Sequence, residues 1–227
     1  MKYVIGIDIG GTNLRIGTVD EEGNLTNFER KSSESLVSEG AVENLGNEVK
    51  SYIERYKLEG RVGAISVGVP SMVSKDKSFI YSTPNLKGLE NIDLGHLLGD
   101  YVNIPVFVDR DVNYLLVNDI KTHGLDPDRE RTILGFYLGT GFGNAVYING
   151  QLHVGKNGVA GELGHIPMYG IEEACTCGNI GCSETRCSGR YLRYLTDTYF
   201  PDTDISEVFV KHGDDPRIQE YVDTLAI

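Results

Sequence analysis

All four cysteines of this 227-residue chain fall between positions 175 and 187. A disulfide framework would spread its cysteines more widely, so the clustering points to a metal-tied loop in a reducing compartment. Cys175, Cys177 and Cys182 follow His165, the last residue of Gly-Glu-Leu-Gly-His (161–165). One imidazole and three thiolates at such close spacing are the ligand set of a tetrahedral zinc site. Cys187 lies outside the group and reads as a spare core thiol. Glu162 and Glu184 bracket the ligands. A zinc that only stapled a loop has no need of them, so they read as the polar wall of a pocket that the metal shapes. His96, His123, His153 and His212 are scattered and read as surface or capping residues, and Glu172-Glu173 as a solvated loop.

Periodicity divides the rest. Val4 to Ile9, Leu14 to Val19 and Leu25 to Arg30 read as three antiparallel strands joined by glycine turns. Val42, Leu45, Val49, Tyr52, Ile53 and Tyr56 recur at helical spacing. A buried-type strand over 61–69, a helix over 94–102, a strand over 105–108 and a helix over 111–121 follow. Thr132 to Leu138 and Asn144 to Ile148 form a second strand–glycine–strand device, and Asn149-Gly150 is a tight turn. The 155–187 stretch is loop-rich. After Ser188 the pattern is helical, interrupted at 202–204 and 214–216. These elements predict an α/β chain of two domains, 1–109 and 110–227, each carrying one glycine hairpin.

The formal charge of -12 argues against a protein that grips nucleic acid or an anionic membrane, since both need a basic face. No apolar run is long enough to span a bilayer and no leader pattern precedes the first strand, which suggests a cytoplasmic protein. An anionic nucleotide held by backbone amides stays compatible with that charge. Gly10-Gly11-Thr12-Asn13 and Gly139-Thr140-Gly141-Phe142-Gly143 suit such a role, because glycines let amides approach an anion and the threonines add hydroxyl donors. A plain hairpin turn explains either segment equally simply. Asp8, at the end of its strand, is placed to hold magnesium through water. Asp111 has two readings, a helix N-cap or a catalytic base exposed at a strand end.

Together these motifs resemble ROK proteins, which are bacterial sugar kinases and related repressors on the actin-like, hexokinase-type ATPase fold, with two α/β domains around a cleft. The resemblance rests on Asp8 to Asn13, the Asp111 segment, Leu138 to Gly143, Gly161 to His165 and the Cys-x-Cys-Gly-x-x-Gly-Cys-x-Glu run. It implies ATP-dependent phosphorylation of the 6-hydroxyl of a hexose, with Asp111 as the base. Asn85, Arg110, Asp111, Glu162, His165 and Glu184 would contact the sugar. Asp8 would position magnesium, and Gly10, Gly11, Thr12, Asn13, Gly139, Thr140, Gly141 and Gly143 would hold the ATP phosphates. His165, Cys175, Cys177 and Cys182 would hold a structural zinc, and homo-oligomers, dimers first, would be the working form.

Segments 74–76, 82–86, 110–113 and 137–141 have the character of the subgroup that phosphorylates D-allose. Most members carry Asn where this chain has Arg110, and a longer charged donor there alters recognition of secondary hydroxyls. Family members also continue for about a further quarter of their length, with the adenosine motif in that part. The last helix here stops on Leu225-Ala226-Ile227 without cap or charged tail. The resemblance therefore implies an incomplete second domain, weak ATP affinity and little kinase activity for this chain. A non-catalytic sugar-binding remnant is one alternative. A ROK-type transcriptional regulator is the other, set against by the absence of a helix-turn-helix before Asp8.

Overall fold

The computed structural model describes residues 2–36, 40–83 and 86–225, and Asn85 lies outside them. Two compact units are formed, Met1–Arg129 with Leu152–Ala160, and Glu130–Gln151 with Gly161–Ile227.

The first unit opens with β1 (Tyr3–Ile9), β2 (Asn13–Val19) and β3 (Leu25–Ser32), then α1 (Ala41–Tyr56) and β4 (Val62–Val69). A short hairpin, β5 (Met72–Val73) and β6 (Ile80–Ser82), precedes α2 (Leu94–Val102), β7 (Val106–Arg110) and α3 (Asp111–His123). The sheet order is β3-β2-β1-β4-β7, with β1–β2 and β2–β3 antiparallel and β1–β4 and β4–β7 parallel. A parallel pairing needs a long crossover, and α1 supplies it between β3 and β4. Strand alternation sends Ile5, Ile7 and Ile9 of β1 and Ile65, Val67 and Val69 of β4 into the core. Leu45, Val49 and Tyr52, one stripe of α1, are buried with them. Each such side chain stabilises the fold by about 1.5–3 kcal/mol relative to an exposed one.

The predicted boundary at 109/110 falls too early, since α3 groups with the first unit. Tyr114 of α3 packs over Gly68 of β4, and its hydroxyl bonds Ser66, so the helix rests on the sheet from which it emerges. The β5–β6 hairpin was not foreseen, because strands of two and three residues show no alternation.

The second unit carries β8 (Thr132–Leu138) and β9 (Phe142–Ile148), with β10 (Gln151–Leu152) completing the order β10-β9-β8. Asn149 and Gly150 both have positive φ, 50 and 80 degrees, as a tight turn between twisted strands requires. α4 (Gly189–Tyr199), α5 (Val208–His212) and α6 (Pro216–Leu225) follow the loop region. Leu192, Leu195, Val208, Ile218 and Tyr221 form the core these helices share. Among the described residues no helix is long and apolar enough to cross a membrane.

Candidate active site and metal centre

In the first unit the chemistry gathers at the C-terminal ends of three parallel strands. Asp8 of β1 lies in register with Gly68 of β4, and Gly68 with Asp109 of β7. The carboxyl ends of parallel strands are where α/β sheets present ligand sites. The first glycine hairpin springs from this edge, with Gly10 N donating to Asn13 O at 2.8 Å. Arg30 Nε holds Asn13 Oδ1 at 3.0 Å and Ser33 N donates to Thr12 O at 3.1 Å, so β3 braces the turn. Asp8 faces Arg15 across the β1–β2 ladder and the two form an ion pair.

β7 runs directly into α3, and the N-cap position is Arg110, with no side-chain cap bond. Asp111 is therefore the first helical residue and not the N-cap. Its Oδ1 accepts from Val112 N at 2.8 Å. Burial raises its proton affinity above the ordinary carboxylate range, against the Val112 bond, and the charge of Asp8 pushes the same way. Asp8 and Asp111 thus sense one another at one edge of the sheet. Arg110 is buried, with Nη1 donating to Ala160 O at 2.7 Å.

Asp109, Asn113 and Lys77, given no role from sequence, hold this elbow. Asp109 is buried, and its Oδ1 accepts from Arg110 N at 2.8 Å and from Asn113 Nδ2 at 2.7 Å. Its Oδ2 stands 2.9 Å from Lys77 Nζ. The Asp109–Asn113 spacing across a strand-to-helix junction was visible in sequence, whereas the Lys77 contact comes from the β5–β6 hairpin and was not.

In the second unit the glycines of 161–165 explain how that segment reaches its place. A Cβ at Gly161 would lie 2.9 Å from Asn144 O, and one at Gly164 would lie 2.5 Å from Phe142 O. Both residues are bare so that the segment can lie against β9. This places Glu162 and His165 beside the strand that leaves the second glycine hairpin. His165 Nε2 is 3.9 Å from Glu162 Oε2.

The other ring nitrogen faces the cysteines. His165 Nδ1 lies 3.6 Å from Cys175 Sγ, Cys177 Sγ lies 3.6 Å from Cys182 Sγ, and all four ligand atoms fall within 4.8 Å of one another. Bonds of about 2.3 Å to sulfur and about 2.0–2.1 Å to nitrogen put tetrahedral ligands roughly 3.5–3.8 Å apart, so the donor set fits zinc. Two turns build the knuckle: Cys175 N donates to Asn179 O at 2.8 Å and Gly178 N to Cys175 O at 3.0 Å. Burial and the neighbouring sulfurs push the Cys182 thiol up to about 12, while a backbone bond from Asn179 holds Cys177 low. Such a cluster resists full deprotonation until a cation compensates it.

Glu184 sits in the 3-10 turn Ser183–Thr185, directly after Cys182. Its Oε2 accepts from Phe142 N at 2.9 Å, and a Cβ on Gly141 would collide with it. The cysteine loop is therefore tied to the second glycine hairpin through one carboxylate. α4 braces the same hairpin: Gly189 N donates to Gly139 O at 2.9 Å and Arg190 N to Thr140 O at 3.1 Å. Glu173, expected in a solvated loop, keeps a partly exposed side chain and pairs with Arg186, whose Nη1 also reaches Tyr191 OH at 2.6 Å. Cys187 is buried, as a spare core thiol should be, and donates to Thr224 O.

The profile of the ROK family matches residues 4–227. Glucokinase of Streptomyces coelicolor is 32% identical over 215 residues, covering 94% of this chain and 65% of that protein. N-acetyl-D-glucosamine kinase of Vibrio cholerae serotype O1 is 29% identical over 205 residues, covering 86% of this chain and 66% of that protein. Among solved structures, a ROK family glucokinase from Streptomyces griseus in complex with glucose and AMPPNP superposes with a TM-score of 0.76 at 26% identity, covering 99% of this chain and 75% of that one. The chain thus spans about 65% of the length of the curated glucokinase it matches.

Proposed function

The chain belongs to the ROK family, and we propose that it carries the sugar-phosphorylating machinery of an ATP-dependent hexose kinase. The observation that carries this reading is Asp111: a carboxylate of raised proton affinity at the first turn of α3, beside Asp8 on the rim of a glycine hairpin. A base that must take a hydroxyl proton near neutral pH gains from just such a shift.

In the proposed reaction the 6-hydroxyl of the hexose passes its proton to the Asp111 carboxylate. The freed oxygen attacks the terminal phosphorus in line, the bond to ADP breaks, and that electron pair leaves on the ADP oxygen. Asp109, bonded to Arg110 N and Asn113, keeps the β7–α3 elbow in one geometry, so Asp111 meets the hydroxyl without searching. The Gly10–Asn13 and Gly139–Gly143 hairpins offer amides and hydroxyls to the phosphates. Glu162, His165 and Glu184 are the proposed sugar contacts. His165 Nδ1 faces the cysteines, so a metal bound there would leave the ring proton on Nε2 and give the ring a donor role.

The zinc ligands would be His165, Cys175, Cys177 and Cys182, and the ion when bound supplies a rigid scaffold for this wall. Asp8 would hold magnesium, which neutralises charge on the transferring phosphoryl group, in exchange for the Asp8 pair with Arg15.

For the epimer we propose D-allose. What supports it is Arg110, a buried guanidinium immediately before Asp111 whose Nη1 is spent on Ala160 O. A fixed cation at that point selects among secondary hydroxyl configurations differently from an amide.

A coupled ADP-release assay of the 227-residue protein with magnesium, ATP and D-allose, D-glucose or N-acetyl-D-glucosamine tests the reading. Sugar-dependent ADP release supports the kinase, and the ranking of sugars decides the epimer. Release that no sugar stimulates, from folded and zinc-loaded protein, overturns it. The absolute rate tests the separate expectation of weak ATP affinity.

A further inference from the structure

The second glycine hairpin has a cation beside it that no role above uses. Arg190 is the second residue of α4, and its backbone N–H is bonded to Thr140 O at 3.1 Å, on the tip of the hairpin. Its side chain is exposed. Among the described residues its guanidinium has no hydrogen bond and no ion pair. Elsewhere in this unit Arg186 pairs with Glu173, Lys211 with Glu207 and Arg217 with Asp215, while Arg193 of α4 also forms no ion pair among the described residues. In a chain of net charge -12 an unspent guanidinium is not explained by a shortage of carboxylates.

Arg190 lines a cavity of about 210 Å³ with Thr176, Glu184, Thr185 and Ser188. Glu184, the one carboxylate in that lining, is turned to Phe142 N. That carboxylate therefore clamps the hairpin and forms no ion pair with the guanidinium. Gly189 is bare because a Cβ there would collide with Gly139 O. This contact brings the positive end of an 11-residue helix directly against Gly139 and Thr140. The first amides of α4 are already spent on Gly139 O, Thr140 O and Ser188 Oγ. The side chain of Arg190, not the helix terminus, is what is left to meet an anion.

We propose that Arg190 is a phosphate-binding residue, whose guanidinium takes the terminal phosphates of the nucleotide held by the Gly139–Gly143 hairpin. The proposal rests on the ATP-dependent reading above and adds a residue to it. A guanidinium presents a planar fork to phosphate oxygens, and such charge-assisted bonds are roughly twice as strong as neutral ones.

Calorimetric titration of MgATP, of magnesium tripolyphosphate and of adenosine onto the zinc-loaded protein and onto Arg190→Gln and Arg190→Lys tests it. The side chain is exposed and the backbone bond to Thr140 survives both changes, so far-UV circular dichroism and zinc content should match the wild type. The expected result is a loss of ~10-fold or more in affinity for MgATP and tripolyphosphate in Arg190→Gln, the size of a lost charged hydrogen bond. Adenosine binding should not change, Arg190→Lys should fall between, and the wild-type advantage should shrink with added salt. Unchanged MgATP affinity in Arg190→Gln overturns the assignment of Arg190 and leaves the kinase reading standing. Wild-type protein that takes up neither MgATP nor tripolyphosphate overturns the kinase reading and this assignment with it.

Discussion

Asp111 shows how one side chain is made both useful and costly. Burial raises its proton affinity, so the folded chain binds that proton more tightly than the unfolded chain does. Holding the carboxylate ionised therefore costs stability, and the cost grows as pH rises above the ordinary aspartate value of 3.8. Asp111→Asn should remove the base, with a loss of ~10²–10⁴-fold in kcat. The same variant should melt at a higher temperature than the wild type at pH 7, and the gain should vanish below about pH 4, where both states are protonated. Thermal melts of the pair at pH 4 and 7, alongside the kinetics, check both halves. A variant that melts lower at pH 7 would contradict the electrostatic account. Asp109 works differently: it holds Arg110 N, Asn113 and Lys77 and is buried. Asp109→Ala should lower kcat by loosening the elbow and leave the pH at which activity titrates in place, because Asp111 keeps its own surroundings.

Among the elements, the second hairpin, the 161–165 segment, the cysteine knuckle and the start of α4 form one braced cluster. Each joint needs a residue with no side chain. Gly161 and Gly164 meet β9, Gly141 meets Glu184 and Gly189 meets Gly139 O. Gly189→Ala forces a methyl against a backbone carbonyl that cannot swing away, and should destabilise the second unit by ~1–3 kcal/mol. Denaturant titration followed by α4 hydrogen exchange measures this. Removing the metal attacks the same cluster from the other side. Chelation, or Cys182→Ser, should release the 161–187 backbone to fast hydrogen exchange. It should also lower the melting temperature, while β1, β4 and β7 stay protected in their own core. Equal loss of protection across both units would show that the metal loop is not a local device.

For the molecule as a whole, charge sets its company. At -12 it should not be retained by duplex DNA at physiological salt, and a fluorescence titration with labelled duplex checks that. Much of the architecture was legible because it depends on local pattern. The alternation of Ile5, Ile7 and Ile9 and the helical stripe of Leu45, Val49 and Tyr52 are properties of neighbours in sequence, and the elements stand where they were expected. The Cys-x-Cys-Gly spacing is equally local, so the cluster of His165, Cys175, Cys177 and Cys182 was expected before any coordinates. What periodicity could not carry was anything set by contact between distant segments. It placed the domain boundary ahead of α3, because only the packing of Tyr114 over Gly68 shows which sheet that helix serves. It left Asp111 open between cap and base, and the fold removed the cap reading by giving that position to Arg110. Sequence alone determined which residues are candidates for chemistry, since residue type and spacing are local. The tertiary structure decided which of them are spent on their neighbours, as Arg15 is on Asp8 and Glu184 on Phe142 N, and which, like Arg190, make no side-chain bond among the described residues.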